Sequence, residues 1–340
     1  MANSQEKTGR LEYNRTIGVT AMFGRGFYYP VDIVADEDDR LYVLNRSSDG
    51  DKRGVRVTIM NLEEDYFGIF GAWGAENGQF TWPNSITIDG ERRIIISDDY
   101  LNRITVMSTD GDFIEKWGEL GSEEGKLDGP SGLTFNDDEL FIADHRNNRI
   151  QRFTSDGDYK GTFGRPGSDV GEFNMPWGIS SGRDGSVLVA DWGNDRIQKL
   201  TPDGEVVSSV GTSGEGEGEL HRPSSACEDD DGYVYVADWG NHRIQVFDPD
   251  GEFVQANRGQ ATISKWSQAF LDTNKEEAAA RAEANLDLDP DLFERDANEE
   301  SSHIEKYFWG PSSIRLIGDH VYVVDTVRHR IQVFDIVTTD

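Results

Sequence analysis

One stretch, ADWGNHRIQVF at residues 237–247, recurs in imperfect form five more times, and no other property of this chain restricts its fold as tightly. The copies lie at 44–60, lengthened in its loop, and at 97–107, 143–153, 190–200 and 324–334. Their arginines, Arg56, Arg103, Arg149, Arg196, Arg243 and Arg330, stand 47, 46, 47, 47 and 87 residues apart. A fixed period of this size signals a repeat architecture, in which each unit buries its apolar face only against its neighbours.

Each unit holds four apolar runs of strand length separated by turn residues. In the second they read NSITID (84–89), RRIIISD (92–98), RITVM (103–107) and FIEKWG (113–118). Asp89-Gly90 joins the first pair and Thr109-Asp110-Gly111 the second, and such pairs accept the positive φ of a hairpin turn. Four antiparallel strands with short links make one twisted sheet. Between units run glycine-rich connectors ending in proline, each with one apolar residue, Phe80, Leu127, Phe173 or Leu220, placed to plug the seam between sheets. Radial repetition of four-stranded sheets gives an all-β, six-bladed β-propeller, a single domain over 1–340. The last unit stops one strand short, and residues 12–24 read as an orphan fourth strand with its loop. That strand is predicted to complete the last sheet and close the ring.

One connector breaks the period: residues 256–310, between the fifth and sixth units, replace a link of about 13 residues elsewhere. Their Ala, Glu and Lys content predicts two or three short helices, with Thr273 and Glu276 as a capping box and Pro290 opening a helix after Asp289. Leaving where connectors leave, this insert is expected to cap one mouth of the ring, with Trp266, Phe270, Phe293, Tyr307, Phe308 and Trp309 in it.

The charge is lopsided, 33 basic against 64 acidic side chains for a net −31, which argues against nucleic acid as a partner. Cys227 is the only cysteine, so no intramolecular disulfide forms, and its SSACED context predicts a small core residue. The start MANSQEKTGR has no apolar leader and no window approaches the roughly 18 apolar residues of a spanning helix, so no membrane partner and a cytoplasmic location are expected. The acidic runs at 36–39 and 228–231 read as solvated hairpin turns.

The repeated core runs Ala or Ser, Asp, two variable residues, Asn, one variable residue, then Arg-Ile-Gln, and is clearest in Asn241-His242-Arg243-Ile244. It resembles the NHL-repeat propeller family, over nearly the whole chain outside the insert. That resemblance implies the six-bladed fold and a function that is either ligand binding or catalysis. It is distantly similar to the peptidyl-α-hydroxyglycine lyase propeller, which would require zinc histidines directly after the prolines that open the inner strands. Those positions hold Val31, Asn84, Ser131, Trp177, Ser224 and Ser312, so the resemblance implies neither that metal nor that activity. Arg46 stands near where that family keeps a functional arginine.

Residues common to the units build the wheel, so chemistry is sought where units differ. Asp98, Asp144, Asp191, Asp238 and Asp325 recur with the arginines five residues on and are read as charge-assisted loop braces. His242 and His329 share one repeat offset and are read as structural. Two variable rings remain, the residue after each proline and the residue after each recurrent acid or its Asn45 equivalent. Together they present Trp177, Trp192 and Trp239 on one side of a mouth and Arg46, Asn84, Asp99, Tyr100, His145 and Arg146 on the other. An aromatic wall facing polar groups suits a small amphipathic ligand, although the tryptophans also fit simple packing between loops. The expected function is a binding module for a small molecule or protein at the capped mouth. The alternative is a lyase or hydrolase in the same site, with His145, Arg46, Asp99 and Tyr100 as catalytic groups and Asn84, Arg146, Trp177, Trp192 and Trp239 binding the ligand. The sequence indicates no metal site and names no cofactor.

Overall fold

A computed structural model describes residues 10–48 and 51–337. Six four-stranded antiparallel sheets form, five from consecutive strands beginning at Pro30, Pro83, Pro130, Pro176 and Ser225. We number these blades 1 to 5. Blade 6 combines Pro311–Ile317, His320–Asp325 and Arg330–Ile336 with the N-terminal strand Leu11–Ile17. The last pair runs antiparallel from Leu11 opposite Ile336 to Ile17 opposite Ile331, so the ring closes by the expected exchange of its ends.

The cores lie between blades, as a propeller requires. Ile86 and Ile96 of blade 2 pack with Tyr42 and Val57 of blade 1, and Tyr235 and Ile244 of blade 5 pack with Ile314 and Val323 of blade 6. The connector plugs Phe80, Leu127, Phe173 and Leu220 are all fully buried, and Phe27 and Phe308 are buried likewise. Cys227 is a buried free thiol, pushed up to about 12 by desolvation.

Local expectations fare unevenly. The outer turns place Gly111, Gly157, Gly204 and Gly251 at φ 84 to 89°, as their sequences require. In the inner turn of blade 2, by contrast, Arg92 and not Gly90 takes the positive φ, at 62°. The acidic inner turns are not merely solvated: Asp36 and Asp229 are buried and accept the hydroxyls of Tyr42 at 2.9 Å and Tyr235 at 2.6 Å.

The brace holds in blades 3 to 6, where Arg149, Arg196, Arg243 and Arg330 each pair through Nε with Asp144, Asp191, Asp238 and Asp325 at 2.8 Å. Burial nevertheless raises the carboxyls of Asp144, Asp191 and Asp238, because each is almost fully removed from water. Blade 2 departs from the expectation. Asp98 is satisfied by the backbone N–H groups of Thr81, Trp82 and Leu101, while Arg103 donates to the carbonyls of Ala75 and Gln79. Blade 2 has Leu101 and Thr105 where blades 3 to 5 place Asn and Gln donors to the same aspartate.

The insert forms α1 (Lys265–Thr273), α2 (Lys275–Glu283), a 3-10 turn (Pro290–Phe293) and α3 (Ala297–His303). Pro290 opens its turn with Asp289 as cap, as expected, but the Thr273–Glu276 capping box does not form. Thr273 is the last residue of α1, where its hydroxyl donates back to the Phe270 carbonyl at 2.9 Å, and Asn274 takes the N-cap position of α2. Ser264 caps α1 and Asp296 caps α3 through backbone N–H groups.

Candidate functional site

The six residues after the inner prolines do converge. Val31, Asn84, Ser131, Trp177, Ser224 and Ser312 all line the axial channel. The loops carrying the second ring bond to the residues just before those prolines: Asp99 N–H to Trp82 O at 3.1 Å, His145 N–H to Gly129 O at 3.3 Å, Gly240 N–H to His221 O at 2.8 Å. Both rings therefore occupy one face.

Blades 1 to 4 assemble a continuous arc there. Arg46 Nη1 donates to Asn84 Oδ1 at 2.9 Å, and its guanidinium lies 4.6 Å from the Trp82 ring centre. Asn84 is buried, and its Nδ2 has no hydrogen-bond partner among the described residues. Next in the arc, buried Asp99 pairs with Arg146, Nη2 to Oδ1 at 2.5 Å, and stands 3.5 Å from His145 Nε2. Burial opposes the Asp99 charge, but His145 and Arg146 outweigh it and hold the carboxyl below its usual range.

His145 begins a 3-10 turn that Asn148 ends in the left-handed region at φ 53°. Its side chain is 3% exposed, with Nε2 facing the Asp99 carboxylate at 3.5 Å and Nδ1 without a hydrogen-bond partner among the described residues. The imidazole sits against Gly129, where an added Cβ would fall 2.4 Å from Nε2, so only glycine seats it. Across the other side, the Trp177 ring centre is 5.0 Å from that of His145 at a 59° tilt.

The channel below this arc is blocked. Asp32 Oδ1 and Oδ2 receive Arg315 Nε at 2.9 Å and Nη2 at 2.6 Å, with Ser313 and Ser85 hydroxyls at 2.6 and 2.7 Å. Burial acts against the Asp32 charge, yet Arg315 holds the carboxyl low. The remaining space is about 20 Å³, room for roughly one water. Blades approach closely here: a Cβ on Gly178 would fall 2.3 Å from the Ser224 carbonyl.

Three expected site residues have other surroundings. Tyr100 is 70% exposed, Trp192 stacks under the Arg222 guanidinium at 4.6 Å, and Trp239 lies beside Gly310, the last residue of the insert. The insert itself anchors mainly at the seam of blades 6 and 1. Trp266 is buried beside Phe27, its Nε1 donating to Glu64 O at 2.6 Å, and Ser264 Oγ donates to Gly18 O at 2.5 Å. Among the described residues, no hydrogen bond, ion pair or ring contact joins residues 258–310 to Asp99, His145 or Trp177. Sequence reasoning missed Trp82, Asp32 and Arg315. The last two are the only charged side chains among the channel-lining residues, which marks them by the same rule that marked Trp177.

Four stretches match the model of the NHL repeat: residues 127–153, 173–200, 220–247 and 308–334. This chain is an NHL-repeat β-propeller. The four NHL matches fall on blades 3 to 6, where the Asp–Arg brace closes, and spare blades 1 and 2, where Asn45 and Leu101 alter it. No curated protein matches the sequence. Among solved structures, a catalytically inactive variant of virginiamycin B lyase from Staphylococcus aureus with quinupristin is 14% identical, with TM-score 0.58 over 96% of this chain and 100% of that one. The nidogen/laminin complex is 16% identical, TM-score 0.52, over 70% of this chain and 82% of that one. An auxiliary nutrient binding protein from Bacteroides thetaiotaomicron is 12% identical, TM-score 0.59, over 92% and 70%. These likenesses extend to the fold. Among the described residues no helix is long and apolar enough to cross a membrane, and no three His, Cys, Asp or Glu side chains group as metal donors.

Proposed function

We propose that this NHL propeller is a binding module whose ligand lies across the mouth of the axial channel, on the arc from Arg46 to Trp177. The observation that carries the reading is a pair of buried polar atoms left unsatisfied at a mouth: Asn84 Nδ2 and His145 Nδ1. Buried polar atoms without partners cost about 1–3 kcal/mol each, and a ligand that supplies the partners recovers that cost. Trp177, half-buried beside His145, offers the apolar face against which such a ligand stacks. Because the channel is closed by Asp32 and Arg315, the ligand rests on the rim and does not thread the ring. The ligand class is a small amphipathic molecule, or a protein side chain or terminus of the same chemistry. Neighbours solved with quinupristin and in a laminin complex support both kinds of ligand for this fold.

A second reading makes the arc catalytic, as a lyase or hydrolase. His145 Nε2 lies 3.5 Å from Asp99 and its Nδ1 is unengaged, the arrangement of a proton-transfer residue oriented by a carboxylate. A thermal-shift screen of small molecules and peptides, followed by product analysis of each hit, tests both readings. Binding requires a hit whose stabilisation is lost in His145→Ala and Trp177→Ala; catalysis requires that the hit also be converted by the native protein and not by His145→Ala. Hits that stabilise native and variant proteins equally remove this site.

A further inference from the structure

A cleft of about 440 Å³ lies between α1, α2 and the edge of blade 6, outside the channel mouth. Ile263, Phe270 and Leu271 form one wall, and Arg281, Arg328 and Arg330 contribute three guanidinium groups to the same cleft. In a chain of net charge −31 that concentration of cations is unexpected. Two of the three are neutralised: Arg281 Nη1 meets Glu305 Oε2 at 2.7 Å, and Arg330 Nε meets Asp325 at 2.8 Å.

Arg328 is different. It makes no ion pair among the described residues; its Nη2 donates only to the carbonyls of Ser301 at 2.6 Å and Ile304 at 3.2 Å. Its Nε is buried without a partner. Desolvation and the neighbouring Arg330 disfavour its charge, and Asp325, Glu305 and the Trp309 ring, 5.5 Å from the guanidinium, offset that only in part. Blades 3 to 5 carry Asn147, Asn194 and Asn241 at this position, each tied to the brace aspartate of its own blade. The repeat therefore does not require an arginine here, and its presence coincides with the insert that forms the cleft.

We propose that this cleft binds a free amphipathic carboxylate, its anionic end on Arg328 and its apolar end against Ile263, Phe270 and Leu271. The volume is within the usual range of small-molecule sites, and an apolar wall with one convergent charge is their usual chemistry. A carboxylate makes charge-assisted hydrogen bonds to a guanidinium, and Arg328 lines the cleft with no carboxylate paired to it among the described residues.

The test is calorimetric titration of the full chain with octanoate and, separately, with octanol. Octanoate is expected to bind at one site, and octanol, which lacks the charge, about ten-fold or more weakly. Arg328→Asn, which installs the residue of blades 3 to 5, is expected to lower octanoate affinity by about ten-fold or more. Since Arg328 also holds two carbonyls of the insert, Phe270→Asp serves as the second variant: the side chain is 48% exposed, so folding is spared while the apolar wall gains a repelling charge. Loss of octanoate binding in Phe270→Asp with unchanged helical circular dichroism supports the site. Unaltered octanoate affinity in either variant, equal affinity for octanol, or no octanoate binding overturns it. Sedimentation with phosphatidylcholine–phosphatidylserine vesicles separates the sources of the anion: the protein is expected to stay in the supernatant, and Arg328-dependent pelleting would overturn the assignment to a free ligand.

Discussion

His329 Nδ1 accepts the backbone N–H of Tyr29 at 2.8 Å across the seam between the last blade and the first. His242 does the same for Gly310 at 3.1 Å. Both histidines sit in the left-handed region, at φ 54° and 52°, where blades 2 to 4 place Asn102, Asn148 and Asp195. Those three accept the N–H groups of Gly129, Met175 and Arg222 at 2.8, 2.7 and 2.7 Å. One residue at a fixed repeat offset thus bonds each of blades 2 to 6 to the connector of the next, while blade 1 has Val55 there, and an imidazole serves only while Nδ1 is unprotonated.

Stability should therefore fall with acid at these two seams. Burial pushes both histidines down to about 4, against about 6.5 in the unfolded chain. With the folded value depressed, the unfolded chain takes up protons first, so the contribution is intact above pH 6.5 and is lost as pH falls toward 4. Allowing for partial exposure, each histidine is worth about 2 kcal/mol over that window. His329→Asn keeps an acceptor and tolerates positive φ. Urea midpoints measured from about pH 7 to 4 should fall less steeply in this variant than in the native protein; parallel curves would contradict the role.

Breaking the channel floor should be costly. Arg315→Met leaves Asp32 buried with two hydroxyls and no cation, an expected loss of about 3–5 kcal/mol in chemical denaturation. Adding Asp32→Leu to that variant should recover a large part of it, since an apolar pair replaces a lone charge. A double variant no more stable than Arg315→Met would show that the pair is not the reason for the loss.

Trp266 fastens the insert to the ring. Trp266→Ala removes a fully buried indole and its bond to Glu64, an expected cost of about 3–5 kcal/mol confined to the insert. Hydrogen exchange should quicken across α1 and α2 while Ile94–Ile96 and Val234–Val236 stay protected. Uniform quickening would mean that the insert and the ring unfold as one unit.

The wheel was legible because its determinants repeat: Asp144, Arg149 and Gln151 return at one spacing, and each return reinforces the last. The arc was legible in part, because Trp177 and His145 are exceptions within rings that the period aligns. Asp32 and Arg315 are exceptions of the same kind but lie deeper in the channel than the rings inspected. Trp192 meets Arg222 from the following connector, an approach that no spacing reveals. The failed Thr273 cap has a local cause: α1 includes Thr273 as its last residue, so Asn274 and not Thr273 stands before α2.

The division of labour between shared and singular residues is tested most directly by thermal shift on two variants, using a ligand whose stabilisation of the native protein is lost in His145→Ala. Arg196→Ala removes a shared brace and should lower the melting temperature by several degrees, for a loss of about 3 kcal/mol, while the ligand-induced shift persists. Trp177→Ala should leave the unliganded melting temperature within about 2–3 °C and abolish the ligand-induced shift. The opposite pattern, with Trp177→Ala retaining the full shift and Arg196→Ala losing it, would contradict the placement of function at the channel mouth.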